Sequence, residues 1–180
     1  MRTLALALTL VLSLSVSVPA RAAVDETNAN RLNALGLFLG TGSGYDLGGS
    51  ATRLHGIIML TRMLGEEADA LSFDGPCPFS DVAAGKPSAY TGYAFAQGYT
   101  TGVSTTTFRP NGALSFKHYV TFLLRALGYD DGAGDFTFAA SLDKAVEIGM
   151  MTRASADCIL QKQYALYRGD LVDLFVSALT

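Results

Sequence analysis

Phe108 to Tyr129 reads FRPNGALSFKHYVTFLLRALGY and combines a turn with one amphipathic helix. The letters PNG are typical of a turn, and Ser115 stands where a helix N-cap is expected. Gly128 is predicted to end the helix, because glycine readily takes the left-handed conformation found there. Apolar residues recur between these two points at helical spacing, which predicts one wide buried face made of Tyr119, Val120, Leu123, Leu124 and Leu127.

The same unit recurs along the chain. Residues 52–65 (TRLHGIIMLTRMLG) align without a gap with residues 115–128 (SFKHYVTFLLRALG), and residues 167–180 (YRGDLVDLFVSALT) form a weaker third copy. Each unit is too small to bury its own apolar face. The three long helices are therefore predicted to pack together in an all-α fold.

Shorter elements are predicted between the long helices. Short helices that end at glycine are expected ahead of each copy, at 31–35, 90–97 and 141–150. The Gly- and Ser-rich run 40–51 (GTGSGYDLGGSA) is predicted to be a loop. The polar segments 66–75 and 152–163 are interpreted as connections.

The N-terminus has the pattern of a signal peptide. Arg2 precedes an apolar run from Leu4 to Val18, and Ala20-Arg21-Ala22 fits a small-x-small cleavage site. The segment 1–22 is therefore expected to be removed, so that the mature chain begins at Ala23. The apolar run is short for a membrane span, so an uncleaved anchor is the less favoured alternative. An exported protein without a membrane span is expected.

Composition excludes one class of function and leaves one question open. The 180-residue chain has a formal charge of −3 and no basic stripe, which argues against nucleic-acid binding. Cys77 and Cys158 are its two cysteines. Export permits a disulfide between them, but two small buried hydrophobic residues are the alternative.

Three patterns could indicate catalysis, phosphate binding or metal binding. The glycine-rich run lacks the lysine of a P-loop, and DDGAG at 130–134 lacks the ligand spacing of an EF-hand, so both are interpreted as turns. His55 and His118, with Asp81 or Asp170, are the natural catalytic candidates. Neither a nucleophile elbow nor a zinc-helix motif accompanies them, so roles at helix starts are favoured and neither enzyme activity nor a cofactor is expected.

The order of motifs resembles the S-layer homology family. The resemblance is carried by PFSDV at 78–82, GYTTGVSTTTFRP at 98–110, LLRALGY at 123–129 and the TR that opens a helix at 52–53. It covers nearly all of the chain after the signal segment. It implies three modules, at 23–75 (partial), 76–134 and 135–180. Such modules form a pseudo-threefold unit around a central three-helix bundle, with grooves between the modules.

The resemblance also implies a function and a set of site residues. Such triplets anchor exported proteins non-covalently to secondary polysaccharides of the cell wall, linked to peptidoglycan, and the usual ligand is an acidic, often pyruvylated, saccharide. Arginine at a helix start would grip a carboxylate there, because the helix N-terminus is itself an anion site. Glycine would let a sugar approach the backbone. The residues implied are Arg53, Arg168, Thr52, Gly40, Gly102 and Asp81, the last either orienting the groove or capping a turn.

The chain departs from the family pattern at several positions. Phe116 stands where the motif arginine is expected in the second copy, and the motif glutamate is replaced by His55, His118 and Asp170. Histidine is expected to close a capping box less well than glutamate. At most two grooves keep an arginine, and solvated first-turn side chains are the alternative for both. A structural or protein-interaction module of the cell surface, which has lost its glycan site, is the alternative function.

Overall fold

The computed structural model describes residues 26–162 and 165–179. The predicted signal segment and its cleavage site lie outside these ranges. The prediction of an all-α fold is confirmed, because the described residues form helices and isolated bridges but no β-strand. In chain order the helices are α1 (Thr27–Ala34), α2 (Arg53–Met63), α3 (Glu67–Ser72), α4 (Lys86–Ala96), α5 (Phe116–Ala126), α6 (Ser141–Glu147), α7 (Arg153–Lys162) and α8 (Arg168–Leu179).

The three long helices start where the repeat predicts. Thr52 caps α2 and Ser115 caps α5, each accepting a hydrogen bond from the backbone N–H three residues later. The glycines that follow, Gly65 and Gly128, have φ values of 76° and 90°. Such positive φ values stop a helix and suit glycine, so the predicted ends are confirmed as well.

Two helices, α3 and α7, lie in segments interpreted as polar connections, so that interpretation was wrong. Among their described side chains, α3 buries only Ala70 and α7 only Ala156. Neither helix therefore carries the wide apolar stripe by which a helix is recognised in sequence. Residues 40–51 and 130–134 contain no helix and are loops or turns, as predicted.

The apolar faces also differ in detail from the prediction. Leu127, placed on the buried face of α5, is 61% exposed, because it is the C-cap residue where the helix turns away from the core. α4 begins at Lys86, four residues before the predicted start at Tyr90. Gly85, with φ 92°, and Pro87 in the first turn set that earlier start.

A closed ring of three backbone hydrogen bonds joins the starts of the long helices. The Ala51 N–H donates to the Leu166 carbonyl (2.7 Å), the Leu166 N–H to Leu114 (2.8 Å) and the Leu114 N–H to Ala51 (2.9 Å). Each of these residues stands two positions before a long helix, and all three are fully buried. The three repeats thus meet at one point inside the core.

Each short helix packs beside one long helix, and this packing brings the first and last described helices together. α4 packs against α2, and α6 packs against α5, so each short helix contacts the long helix that precedes it in sequence. α1, which lies ahead of the first described long helix, packs against the last described helix, α8. α3 contacts α2 and α4, while α7 contacts α6. The buried core follows this arrangement and includes Leu32, Ile57, Leu60, Leu114, Leu166 and Leu171.

Candidate functional site

The start of α2 is seated on the turn that precedes α5. The Arg53 N–H donates to the Gly112 carbonyl (2.9 Å), and the Leu54 N–H donates to Pro110 (3.1 Å). The next N–H, of His55, donates to the Thr52 hydroxyl (3.2 Å). The first-turn donors of α2 are therefore all used within the protein. The expectation that this helix N-terminus is an open anion site was wrong.

The start of α8 is seated in the same way on the turn that precedes α2. The Arg168 N–H donates to the Gly49 carbonyl and the Gly169 N–H to Leu47, both at 2.9 Å. Long helices α2 and α8 thus each begin on the turn of another repeat. This seating places the side chain of each first residue, an arginine, between two repeats.

The two arginines have matching environments. Arg53 Nε donates to the Phe108 carbonyl (2.7 Å), and its guanidinium carbon lies 4.8 Å from the centre of the Phe108 ring. Arg168 Nε donates to the Tyr45 carbonyl (3.1 Å), and its guanidinium carbon lies 5.2 Å from the centre of the Phe38 ring. The two residues are only 4% and 8% exposed, so the alternative of solvated first-turn side chains is wrong.

Neither arginine forms an ion pair with any residue that the structure describes. The only hydrogen bond that Arg53 donates within the described chain from its guanidinium comes from Nε, which leaves both Nη groups without a protein acceptor. Burial, followed by the charges of Arg125 and Arg109, lowers the pKa of Arg53 to about 10 against the opposing effect of Asp81. A buried cation without a counter-charge is unfavourable, so this site favours an anion.

A cavity of about 360 Å³ opens beside Arg53. Arg125 also lines it and is already paired with Asp131, whose carboxylate lies 2.7 Å from Arg125 Nη2. The wall combines polar groups with aromatic faces, and its residues include Thr101, Gly102, His118, Phe122 and Phe138. The cavity therefore combines a cationic group with aromatic surface.

Of the predicted site residues, the structure brings Arg53 and Gly102 into this one cavity. Sequence reasoning did not place Arg125, Thr101 or Phe138 there. The repeat offered one signal for Arg125, since it aligns with Arg62 in the first copy. The two arginines have different ion-pair partners, however. Arg125 binds Asp131, whereas Arg62 binds Glu67 (2.7 Å).

Asp81 lies outside the cavity and holds the turn that carries the acceptor of Arg53. Its two carboxylate oxygens accept hydrogen bonds from the N–H groups of Phe108 (2.8 Å) and Arg109 (2.7 Å). Slight desolvation opposes ionisation, but these two hydrogen bonds keep the pKa of Asp81 below its ordinary value. The Phe108 carbonyl is the acceptor for Arg53, so Asp81 positions the guanidinium through the turn. Asp81 therefore combines the two predicted roles. It caps the turn, and through that turn it orients the arginine of the groove.

We expect Asp81→Asn to destabilise the fold by about 1–2 kcal/mol, because an amide offers only one acceptor to the two N–H groups and carries no charge. Arg109 has a φ of 58°, a conformation unfavourable for a side chain other than glycine, so its turn depends on such bonds. Urea denaturation of the variant measures the loss. Asp74→Asn is the matched control, since Asp74 is exposed and is expected to change the free energy of unfolding by less than about 0.5 kcal/mol. Equal stability of both variants would contradict the role given to Asp81.

The two predicted glycines are fixed by their own loops. Gly102 and Gly40 have φ values of 78° and 70°, in the left-handed region. A Cβ on Gly102 would meet the Ser104 carbonyl oxygen at 2.5 Å, and one on Gly40 would meet the Gly44 carbonyl oxygen at 2.8 Å. Local backbone geometry therefore explains both glycines. Gly40 lies in the loop that leads to Tyr45, the acceptor of Arg168.

The histidines sit at the third position of α2 and α5 and bind their own N-caps. His55 Nδ1 accepts a hydrogen bond from the Thr52 N–H (3.2 Å) and completes a capping box. His118 Nδ1 lies 2.8 Å from the Ser115 hydroxyl oxygen. In the third copy, Asp170 accepts from the Tyr167 N–H (2.8 Å). The N-cap N–H is thus bound by a histidine in α2 and by an aspartate in α8, whereas the histidine of α5 contacts the N-cap hydroxyl instead.

The remaining candidates are placed as follows. Phe116, in the arginine position of α5, is half-buried and packs against the core. Cys77 and Cys158 are free thiols, the first half-buried and the second exposed. Within the described ranges, His, Cys, Asp and Glu form no group of three that could hold a metal ion. Over the same ranges, no helix combines the length and apolar character needed to cross a membrane.

Comparison with known proteins gives one informative similarity. The chain is 27% identical over 163 residues to the Middle cell wall protein of Brevibacillus brevis (strain 47 / JCM 6285 / NBRC 100599). The match takes in 89% of this chain but only 15% of that protein. No protein-family model matches the chain.

Proposed function

We propose that this chain is a non-catalytic module of the cell surface that binds an acidic, carboxylate-bearing wall polysaccharide in the grooves at Arg53 and Arg168. The observation that carries the proposal is the pair of buried guanidiniums, seated identically and without an ion-pair partner in the described chain. Export and the cell wall as location follow from the signal-peptide pattern and are supported by the similarity to a cell wall protein.

The chemistry of the groove supports a carboxylate rather than a neutral sugar. A guanidinium presents a planar fork of N–H donors that matches two carboxylate oxygens, and the interaction strengthens when water is excluded. Arg53 is held by its Nε and by the Phe108 ring, so its Nη donors are pre-organised. Pre-organisation reduces the entropy lost on binding. A ketal-linked pyruvate on a wall sugar presents such a carboxylate beside an apolar ring face.

We also propose that the three repeats are related by an approximate threefold axis through the ring of Ala51, Leu114 and Leu166. The cyclic order of its hydrogen bonds supports this arrangement. The same order gives three potential grooves, of which the one at Phe116 lacks a guanidinium. Two grooves are therefore expected to bind the acidic polymer, and the third is expected to serve the fold.

The proposal is tested by sedimentation with purified wall sacculi. The chain from Ala23 to Thr180 is expected to bind intact sacculi and to lose binding after chemical removal of the secondary polymer. The double variant Arg53→Lys and Arg168→Lys is expected to bind about tenfold more weakly, because lysine keeps the charge but lacks the bidentate fork. Lysine also keeps much of the aliphatic stem, so folding is retained.

Arg31→Lys with Arg153→Lys is the matched control for that variant. Arg31 and Arg153 are exposed, and both lie outside the grooves, so the same chemical change there is expected to leave binding unaltered. Circular dichroism shows whether each variant is folded. Equal retention of both double variants on sacculi would overturn the assignment of the grooves.

A second function is favoured by a specific observation. Each groove arginine already donates Nε to a backbone carbonyl of another repeat, so both have a role in docking the repeats. A structural or protein-interaction module would need the arginines for that purpose alone. Such a chain would sediment equally with intact and stripped sacculi or with neither, and Arg→Lys substitution would change its stability rather than its binding.

A further inference from the structure

The ring of His55 is held in a defined tautomer by its capping bond. A backbone N–H can only donate, so the bond from the Thr52 N–H (3.2 Å) requires Nδ1 to be an unprotonated acceptor. Burial, followed by the nearby Arg168 charge, lowers the pKa of His55 below its ordinary value, so the neutral ring is favoured at neutral pH. A neutral imidazole with a bare Nδ1 carries its proton on Nε2.

That Nε2–H faces a second donor. Arg168 Nη1 lies 3.4 Å from His55 Nε2, and a guanidinium nitrogen cannot accept a hydrogen bond. The two groups therefore cannot satisfy each other, although Arg168 is more than nine-tenths buried. Asp46 is within electrostatic range of both, yet it is exposed and forms no described hydrogen bond with either side chain. Within the described part of the chain neither of these two convergent donors has an acceptor, so the pair favours an acceptor supplied by a ligand.

We propose that His55 Nε2–H and Arg168 Nη1 form a two-donor site for a single carboxylate group of the wall polysaccharide, with His55 acting as a binding residue in addition to capping α2. This assignment rests on the proposed function and names the chemistry of that site. The residue types explain the site: a glutamate in place of His55 would cap the helix equally well but would present an acceptor to Arg168. Histidine caps with one ring nitrogen and leaves the other as a donor.

The groove at Arg53 repeats the pairing. His118, at the third position of α5, lines the cavity together with Arg53. Its Nδ1 lies 2.8 Å from Ser115 Oγ, which itself accepts from the His118 N–H (3.3 Å) and so has its own proton free to donate to Nδ1. Burial and then the Arg53 charge lower the pKa of His118. Each arginine is thus paired with the histidine of the next long helix in the cyclic order α8, α2, α5.

Two substitutions separate the capping role of His55 from its donor role. The substitution His55→Gln keeps an acceptor for the Thr52 N–H and an N–H donor for the ligand, whereas His55→Glu keeps the acceptor and replaces the donor by a negative charge. Using purified wall polysaccharide as probe, we expect His55→Glu to bind about tenfold more weakly and His55→Gln to bind within about threefold of the unaltered chain. Both variants are expected to keep the melting temperature, because both close the capping box.

The tautomer is measured independently of binding. Nitrogen-15 NMR of the imidazole rings at pH 7.5 is expected to show His55 protonated at Nε2, and this resonance is expected to shift when the polysaccharide is added. Protonation at Nδ1, or equal affinity of the two variants, would overturn the two-donor site. If the unaltered chain does not bind the polysaccharide, the proposed function fails. The two-donor site is then tested separately by titration with sodium pyruvate. A saturable shift of the His55 Nε2 resonance supports the site, and an unchanged resonance overturns it.

Discussion

Leu114→Ala is expected to lower the free energy of unfolding by about 3 kcal/mol, because the side chain is 0% exposed and its removal leaves a cavity that the core cannot close. Leu114 fills the space above Gly56: a Cβ on Gly56 would lie only 2.8 Å from a Leu114 methyl carbon. Its backbone also belongs to the ring that joins the three long helices. Urea denaturation followed by far-ultraviolet circular dichroism measures the loss.

The control for Leu114→Ala is the same substitution at Leu127, which is 61% exposed and is expected to cost less than about 0.5 kcal/mol. Because the ring connects all three repeats, the Leu114 variant is expected to unfold in one transition at a lower urea concentration. A separate early transition, with part of the helical signal retained, would mean that the repeats unfold independently. A loss below about 1 kcal/mol would contradict the packing described for this site.

Local signals explain why the long helices could be predicted so closely. A cap such as Thr52 or Ser115 bonds to the N–H three residues later, and a glycine ends a helix through its own backbone conformation. Both signals therefore depend only on residues within one helical turn. The repeat then transferred the boundaries from one copy to the next. α3 has no side-chain cap. α7 has one, since the Thr152 hydroxyl accepts from the Ser155 N–H (3.1 Å), but both helices are largely exposed and lack the apolar stripe that marks a helix in sequence.

The environment of the groove arginines could not be predicted in the same way. Arg53 and its acceptor Phe108 are 55 positions apart, and Arg168 and Tyr45 are 123 apart. Burial of these side chains depends on which repeat lies next to which, and the periodicity of one helix carries no information about that order. The sequence therefore indicated arginine chemistry but left open whether the guanidiniums were solvated.

One signal was present in the sequence and is explained by the structure. The gapless alignment of the first two copies extends upstream, where YDLGGSA (45–51) aligns with FRPNGAL (108–114). Asp46 and Arg109 then occupy the same place, and they are the described residues other than glycine that have positive φ, at 48° and 58°. The matched turns present Tyr45 and Phe108 as acceptors for the two arginines. Extending the repeat would have placed both acceptors in corresponding loops.

Gly102→Ala is expected to cost about 3 kcal/mol or more, because two separate penalties combine at this position. A residue other than glycine is strained by about 1 kcal/mol or more at φ 78°, and the added Cβ would lie 2.5 Å from both the Phe79 ring and the Ser104 carbonyl oxygen. Ser104 belongs to the loop whose residues Thr101, Gly102 and Val103 line the cavity, so relief of the overlap requires that this wall move. Binding of the wall polysaccharide is expected to weaken in parallel.

Gly98→Ala separates the two penalties. Gly98 has nearly the same φ, 79°, but a Cβ there would meet nothing within 4 Å, so only the conformational strain of about 1 kcal/mol is expected. The difference between the two variants in urea denaturation thus measures the crowding at Gly102 alone. A difference near zero would show that the loop from Gly102 to Thr107 yields without cost. In that case the cavity wall would be too compliant to hold a ligand in one orientation, and recognition would have to rest on the arginines and histidines of the helix starts.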